Sequence, residues 1–407
     1  MPLRILYAAF DVVPSPKGAS RHITAFTRAL VGAGHEVTLF TVGLPELPAA
    51  GAWAGARMLR AHSPEDNFLR RALHFGDAVW EHLREQGEAY DLVHFRDIWS
   101  GQAALQARQE FRHPYRTLFE ANGLPSVELK YHYQTLAGTD LPGRFRGQEQ
   151  AILRRVDGVV CVSGVTAIYL RSLGAPPGVI TVIPNGVDPA LFPPVEGMSV
   201  GQPKLVYAGT LASWQGVSTA IEAMPTILAA FPEAELHLIG PSKKRHQKGL
   251  VKLVAKLGLD EEDVRFAGPV DPEEMPARLA AASVCLAPLA YNDRNVAQGC
   301  CPIKVLEYAA AARPIVASDL PVVRELLGEG EVRFCQPGDA AGLARQVIHL
   351  LSHPEQAQAM ARRAAEKVTQ TFTWQRSGEG LLEVYAQLME TGAPDTEPAT
   401  PLALAPQ

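Results

Sequence analysis

Cysteine is scarce in the 407-residue chain: Cys161, Cys285, Cys300, Cys301 and Cys335 are odd in number and show neither CxxC nor a Cys/His spacing of the zinc-binding kind. A disulfide framework and a structural zinc are therefore not expected, and a reducing compartment is. Long apolar runs are also missing, and nothing approaches the roughly 20 residues that a bilayer-spanning helix requires. The N-terminal MPLRILYAAFDVVP holds one basic residue and is broken at Asp11, so it reads as a first strand rather than a signal peptide. The expected location is cytoplasmic. A strong charge imbalance is absent too: Lys+Arg number 38 against 43 Asp+Glu, which gives no electrostatic footprint for nucleic acid. No GxSxG stands at a strand-to-helix turn and DxD does not occur, so neither a hydrolase nucleophile elbow nor a paired-aspartate metal motif is suggested, and no metal or other cofactor is called for.

What the sequence does contain is a repeated alternation. Short β-branched or apolar runs at 3–8, 36–42, 91–95, 115–120, 158–162 and 179–183 are separated by segments of helical period. The pattern restarts at 204–208, 235–239, 264–266, 284–287, 315–317 and 332–334. Two parallel sheets wrapped by helices are expected, an α/β chain of two Rossmann-like doubly wound domains. A Pro/Gly-rich stretch divides them, so the expected organisation is a domain at 1–187, a linker at 188–203 and a second domain at 204–372. A helix at 373–390 is expected to pack back on the first domain, and 391–407 reads as a disordered tail. The part up to Val187 carries 19 Lys/Arg against 17 Asp/Glu, the remainder 19 against 26, which makes the first part the better face for an anionic partner.

Two loop-to-helix junctions carry candidate chemistry. In the first, Gly18-Ala19 at a strand-to-helix turn lets backbone approach an anion, although, without GxGxxG, a plain βα turn is the simpler explanation. In the second, Gln298-Gly299-Cys300-Cys301-Pro302 leads into a helix with Pro302 in its first turn, leaving the N–H groups of Ile303 and Lys304 free for an anion. Lys304 at the positive end of a helix dipole is unfavourable by a few tenths to about 1 kcal/mol unless a phosphate binds there. Glu307, three residues on, shares its face, so the lysine suits a diphosphate and the carboxylate a ribose diol. A solvent-facing ion pair is the plainer alternative.

At this point the chain resembles the GT-B fold glycosyltransferases of family 4, retaining enzymes that use nucleotide sugars. The resemblance rests on Ile183-Pro184-Asn185-Gly186-Val187-Asp188, similar to that family's hinge, and on Pro302 to Pro321 followed by Glu325, similar to its donor-binding helix and loop. Gly34-His35-Glu36-Val37, Asp91-Leu92-Val93-His94, Asp157 to Ser163 and Tyr207 to Leu211 with Gly216 support it. It implies two domains facing a cleft, a donor held by Gly18, Ala19, Ile303, Lys304 and Glu307, and a base near Val270. The partners implied are a nucleotide-sugar donor and a saccharide, lipid-linked or small-molecule acceptor.

The departures matter as well. The family's first acidic residue, separated from the second by seven residues, falls at Gly299 here, with Gln298, Asn295 or Asp293 as substitutes. Two cations usual after the second domain's first strand are replaced by Thr210 and Gln215, leaving Lys304, Arg294 and residues 243–245 to compensate. Where many members carry a histidine at the end of the fourth strand, this chain has Glu120 and Asn122. Glu120 is thus a candidate base, acceptor ligand or structural cap, and Asn122 and His94 candidate acceptor ligands. Arg57, Arg60, Arg70 and Arg71, expected in a helical region with Trp53, Met58 and Phe68, offer a peripheral contact with the inner face of a membrane or a solvated helix face. The function expected is sugar transfer to an acceptor hydroxyl with retention. A catalytically weakened sugar-nucleotide-binding protein and a nucleotide-sugar epimerase are the alternatives.

Overall fold

The structure, a computed structural model, describes residues 2–15, 17–133, 136, 138–197 and 201–390. The tail expected at 391–407 lies outside the described residues. The first domain holds β1 (Arg4–Ala9), β2 (Glu36–Gly43), β3 (Ala50–Trp53), β4 (Ala56–His62), β5 (Leu92–Phe95), β6 (Arg116–Ala121), β7 (Gly158–Cys161) and β8 (Ile180–Val182). Its sheet runs β3-β4-β2-β1-β5-β6-β7-β8, and every pair is parallel except β3 with β4. The second domain holds β9 (Lys204–Ala208), β10 (Glu235–Ile239), β11 (Val264–Gly268), β12 (Val284–Ala287), β13 (Ile315–Ser318) and β14 (Arg333–Cys335), in the order β11-β10-β9-β12-β13-β14.

Both sheets reverse direction beside their first strand, between β1 and β5 and between β9 and β12. Doubly wound sheets open a crevice at such a switch point, beyond the carboxyl ends of the strands. Those ends supply Asp11 and Arg96 from one domain and Gly209 and Leu289 from the other, all in the wall of one cavity.

One expectation is corrected. Arg57 and Arg60 are not helical: they lie on β4, which forms a hairpin with β3 through Ala54 and Gly55, both at positive φ. Buried Ala56 and Met58 alternate with exposed Arg57, the period of two that marks a strand with one covered face. Arg60 donates to the Pro48 and Val13 carbonyls. Arg70 and Arg71 do lie on a helix, Phe68–Gln86, but the four arginines share no helical face.

The chain crosses between domains twice, and the crossings touch. Val187 N–H donates to the Phe372 carbonyl at 2.9 Å, and Trp374 N–H to the Val187 carbonyl at 3.2 Å. A Cβ at Gly186 would sit 2.2 Å from Trp374 N, so the glycine of the Pro184-Asn185-Gly186 hinge is required by this contact. After the second crossing, the Trp374–Glu390 helix packs on the first domain. Leu381 and Tyr385 there are buried with Ile5, Tyr7 and Ile23, each such side chain contributing about 1.5–3 kcal/mol. No helix among the described residues is long and apolar enough to cross a membrane.

Candidate active site

The interdomain cavity encloses about 500 Å³. Two helix N-termini meet across it. The Gly18–Gly32 helix follows β1, with Lys17 at its cap, no capping side chain and no acidic residue in its first turn. The Ile303–Ala310 helix likewise has no capping side chain and no acidic residue in its first turn, and Pro302 stands at its cap. A Cβ on Gly18 would lie 3.4 Å from Ile303 Cδ1, so the two ends are in contact. Uncapped N–H groups and two dipoles pointing at one space favour an anion there.

Lys304 and Glu307 both line this space, together with Gly18, Ala19, Ile303, Val270, Arg294 and Asn122. Lys304 Nζ donates to Gln215 Oε1 at 2.6 Å and to the Tyr207 hydroxyl at 2.8 Å, while that hydroxyl donates to the Thr210 carbonyl. Burial pushes the Lys304 ammonium down to about 7. A Cβ on Gly209 would come 2.8 Å from Lys304 Nζ, at a backbone φ of +141°, so glycine makes room for the ammonium. Glu307 is paired with Arg21 of the first domain, and burial raises its carboxyl despite that partner. Arg294 Nε lies 3.0 Å from Glu128 Oε1, and its guanidinium lies over Trp214.

Other candidates are placed elsewhere. Gln298 does not line the cavity: its side chain accepts from Leu124 N–H and donates to Glu128 Oε1, both at 3.0 Å, tying the domains together. Gly299, at φ +82°, is buried against the start of the Gly164–Ser172 helix, where a Cβ would lie 2.8 Å from both Thr166 N and Thr166 Oγ1. Neither contributes to the donor wall. Asn295 holds the Trp214 and Ala290 carbonyls, and Asp293 pairs with Lys130 and Tyr131, so the substitutes for the missing acid are spent on interdomain and loop contacts. Lys243 donates to the His132 carbonyl away from the cavity.

Glu120 is 1% exposed and lies beneath the cavity rather than in its wall. The Tyr7 hydroxyl donates to it at 2.6 Å, Asn122 donates from the cavity side, and His22 Nε2, His94 Nε2 and Arg96 Nε lie 2.7, 3.1 and 3.1 Å from its oxygens. Burial alone would raise this carboxyl, but Arg96 and His22 hold it well below the usual carboxylate range. Glu120 is therefore an ionised anchor that sets the positions of His22, Arg96 and Asn122, not a base exposed to an acceptor. His94 is wholly buried and bonded to the Tyr385 hydroxyl at 2.8 Å, so it braces the C-terminal helix and does not reach an acceptor.

Sequence reading missed Lys17, Arg21, His22, Arg96 and Trp214 as wall residues. Arg21 and His22 had a signal: they follow Gly18 by three and four residues, the spacing that puts side chains on the same helix face. Arg96 had only its place one residue beyond β5. Glu325, noted with the donor helix, accepts from Gly164 and Val165 N–H at 3.0 Å and so caps a helix of the opposite domain.

Comparison with known proteins gives the same architecture. Residues 16–191 match the family described as Glycosyltransferase Family 4, and 202–353 match Glycosyl transferases group 1. The chain is 26% identical over 411 residues to a glycogen synthase of Mycobacterium tuberculosis, covering 94% of each. It is 24% identical over 398 residues to a phosphatidyl-myo-inositol mannosyltransferase of Mycolicibacterium smegmatis, covering 94% of this chain and 93% of that one. Among solved structures, sucrose-phosphate synthase from Thermosynechococcus elongatus superposes with a TM-score of 0.80 at 24% identity, over 96% of this chain and all of the other, and shares the fold.

Proposed function

Because the chain belongs to the GT-B glycosyltransferases of family 4, we propose that it transfers a sugar from a nucleoside diphosphate donor to an acceptor hydroxyl with retention at the anomeric carbon. The observation that carries this reading is the Ile303–Ala310 helix, whose free N-terminus, Lys304 and Glu307 all face one interdomain cavity. The diphosphate takes the N–H groups of Ile303 and Lys304 and the Lys304 ammonium. Glu307 accepts from the ribose diol, with the base near Val270. The Gly18–Gly32 helix end closes the cavity from the acceptor side, with Asn122 within reach of an acceptor.

The leaving diphosphate gains negative charge as the glycosidic bond breaks, and preorganised N–H groups and cations stabilise that charge without having to reorganise. In this scheme the acceptor attacks on the face the diphosphate leaves, and a diphosphate oxygen is the nearest base for its proton. Glu120 contributes by fixing His22 and Arg96 in the wall.

The test is transfer from UDP-, ADP- and GDP-sugars to saccharide, inositol-type and lipid-linked acceptors, with the product's anomeric configuration read by NMR. An inverted product would overturn retention. Donor binding with neither hydrolysis nor transfer would make the chain a sugar-nucleotide-binding protein instead.

A further inference from the structure

The second domain lacks cations where the loop after β9 carries Thr210 and Gln215, and its Lys304 is already held by Gln215 and Tyr207. The opposite domain sends a cation into the same space. Arg21, one turn into the Gly18–Gly32 helix, reaches across the cavity and pairs through Nη1 with Glu307 Oε1. Its side chain keeps 27% of its exposure, whereas that of Glu307 keeps 8%, so the guanidinium has solvent on one side and room to move while the carboxylate is enclosed.

This pair occupies groups that a donor needs. A ribose diol engages both oxygens of an acidic residue, so Glu307 cannot serve ribose fully while Arg21 holds Oε1. Ribose and diphosphate are joined through one carbon and one ester oxygen. A guanidinium displaced from Glu307 by ribose is therefore left beside the diphosphate, whose oxygens match its planar fork. Gly18, on the same helix end, already touches Ile303 at the start of the phosphate-facing helix.

Building on the donor site proposed above, we propose that Arg21 exchanges partners when donor binds, leaving Glu307 for a diphosphate oxygen. The first domain thereby supplies a cation that the second domain's loop lacks, and donor binding draws on both domains. In the empty cleft the Arg21–Glu307 pair holds the two walls together.

The test is calorimetry of the parent, Arg21→Gln and Arg21→Lys with UDP, ADP and GDP, the matching monophosphates and the free nucleosides, with melting temperatures on the same preparations. The best-bound base gives the comparison. Arg21→Gln should weaken diphosphate binding about tenfold or more, the loss of one charge-assisted bond. Nucleoside binding should hold or tighten, because Glu307 is released. Arg21→Lys should fall between, and it carries the test if Arg21→Gln does not fold. An Arg21–Glu307 double-mutant cycle on diphosphate affinity should be non-additive, the double variant losing more than the two single losses together, because either single change already releases the pair that donor must break. Equal losses for nucleoside and diphosphate, or no loss for either, would overturn the exchange and leave Arg21 as a brace for Glu307. If the parent binds none of the three diphosphates while remaining folded, the donor reading itself fails and the exchange with it.

Discussion

Gly299 of the second domain lies against Thr166 of the first so closely that a Cβ would come 2.8 Å from the Thr166 nitrogen. The position eight residues before Glu307 therefore has no space for a carboxylate. What fills it is an interdomain contact, reinforced from the other side by Gln298 on Leu124 and Glu128.

Restoring an acidic residue there should fail. Gly299→Ala should cost about 1–3 kcal/mol through backbone strain at positive φ together with the close contact. Gly299→Glu should cost at least as much and should not raise transfer. Melting temperature and donor turnover check this; a stable Gly299→Glu with faster transfer would show that the contact can open.

Lys304 should give the binding of nucleoside diphosphate a pH dependence. Only its ammonium form holds phosphate, and in the empty site that form is lost as pH rises through about 7. Affinity should fall by up to about tenfold per pH unit above that value until the bound-state titration is reached. Lys304→Arg, always charged, should flatten the profile, and Lys304→Ala should lose about 1.5–3 kcal/mol of binding near neutrality. Calorimetry at pH 7, 8 and 9 reads all three.

Glu120→Gln should act on stability first. It leaves Arg96 and His22 beside a neutral amide, and breaking a buried pair costs about 3–5 kcal/mol. The parent's contribution from this carboxylate is complete above its ordinary value of 4.5 and is lost as pH falls toward the depressed native value. The variant should lack that acid-sensitive component, and its transfer rate should decline together with its melting temperature. A variant with parental melting temperature and a transfer rate lowered 10²-fold or more would return Glu120 to the role of base.

Glu325→Gln should weaken the cap it places on the opposite domain by about 0.5–1 kcal/mol. Hydrogen exchange should quicken at the Gly164 and Val165 amides, with little change in the amides of β9 and β12.

The alternation of short apolar runs with helical segments determined the two parallel sheets, because strands covered on both faces need continuous apolar residues whatever surrounds them. The β3–β4 hairpin escaped that reading. Its strands are half-exposed, and Arg57 on the open face together with Arg60 broke the apolar run that marked the others. The donor helix was legible for a local reason: Pro302 marks where it starts, and Lys304 and Glu307 are three residues apart, so spacing alone puts them on one face.

Only the tertiary structure decided which polar residues face the cavity. Glu120 and His94 sit at or near strand ends, as ligand residues often do, but side chains alternate across a sheet, and theirs point into the layer sealed by the C-terminal helix and Tyr385. Arg21 is nearly 300 residues from Glu307 in sequence, and no local period relates them. Their pairing exists because the chain crosses twice at Val187 and Phe372, which sets one helix N-terminus against the other.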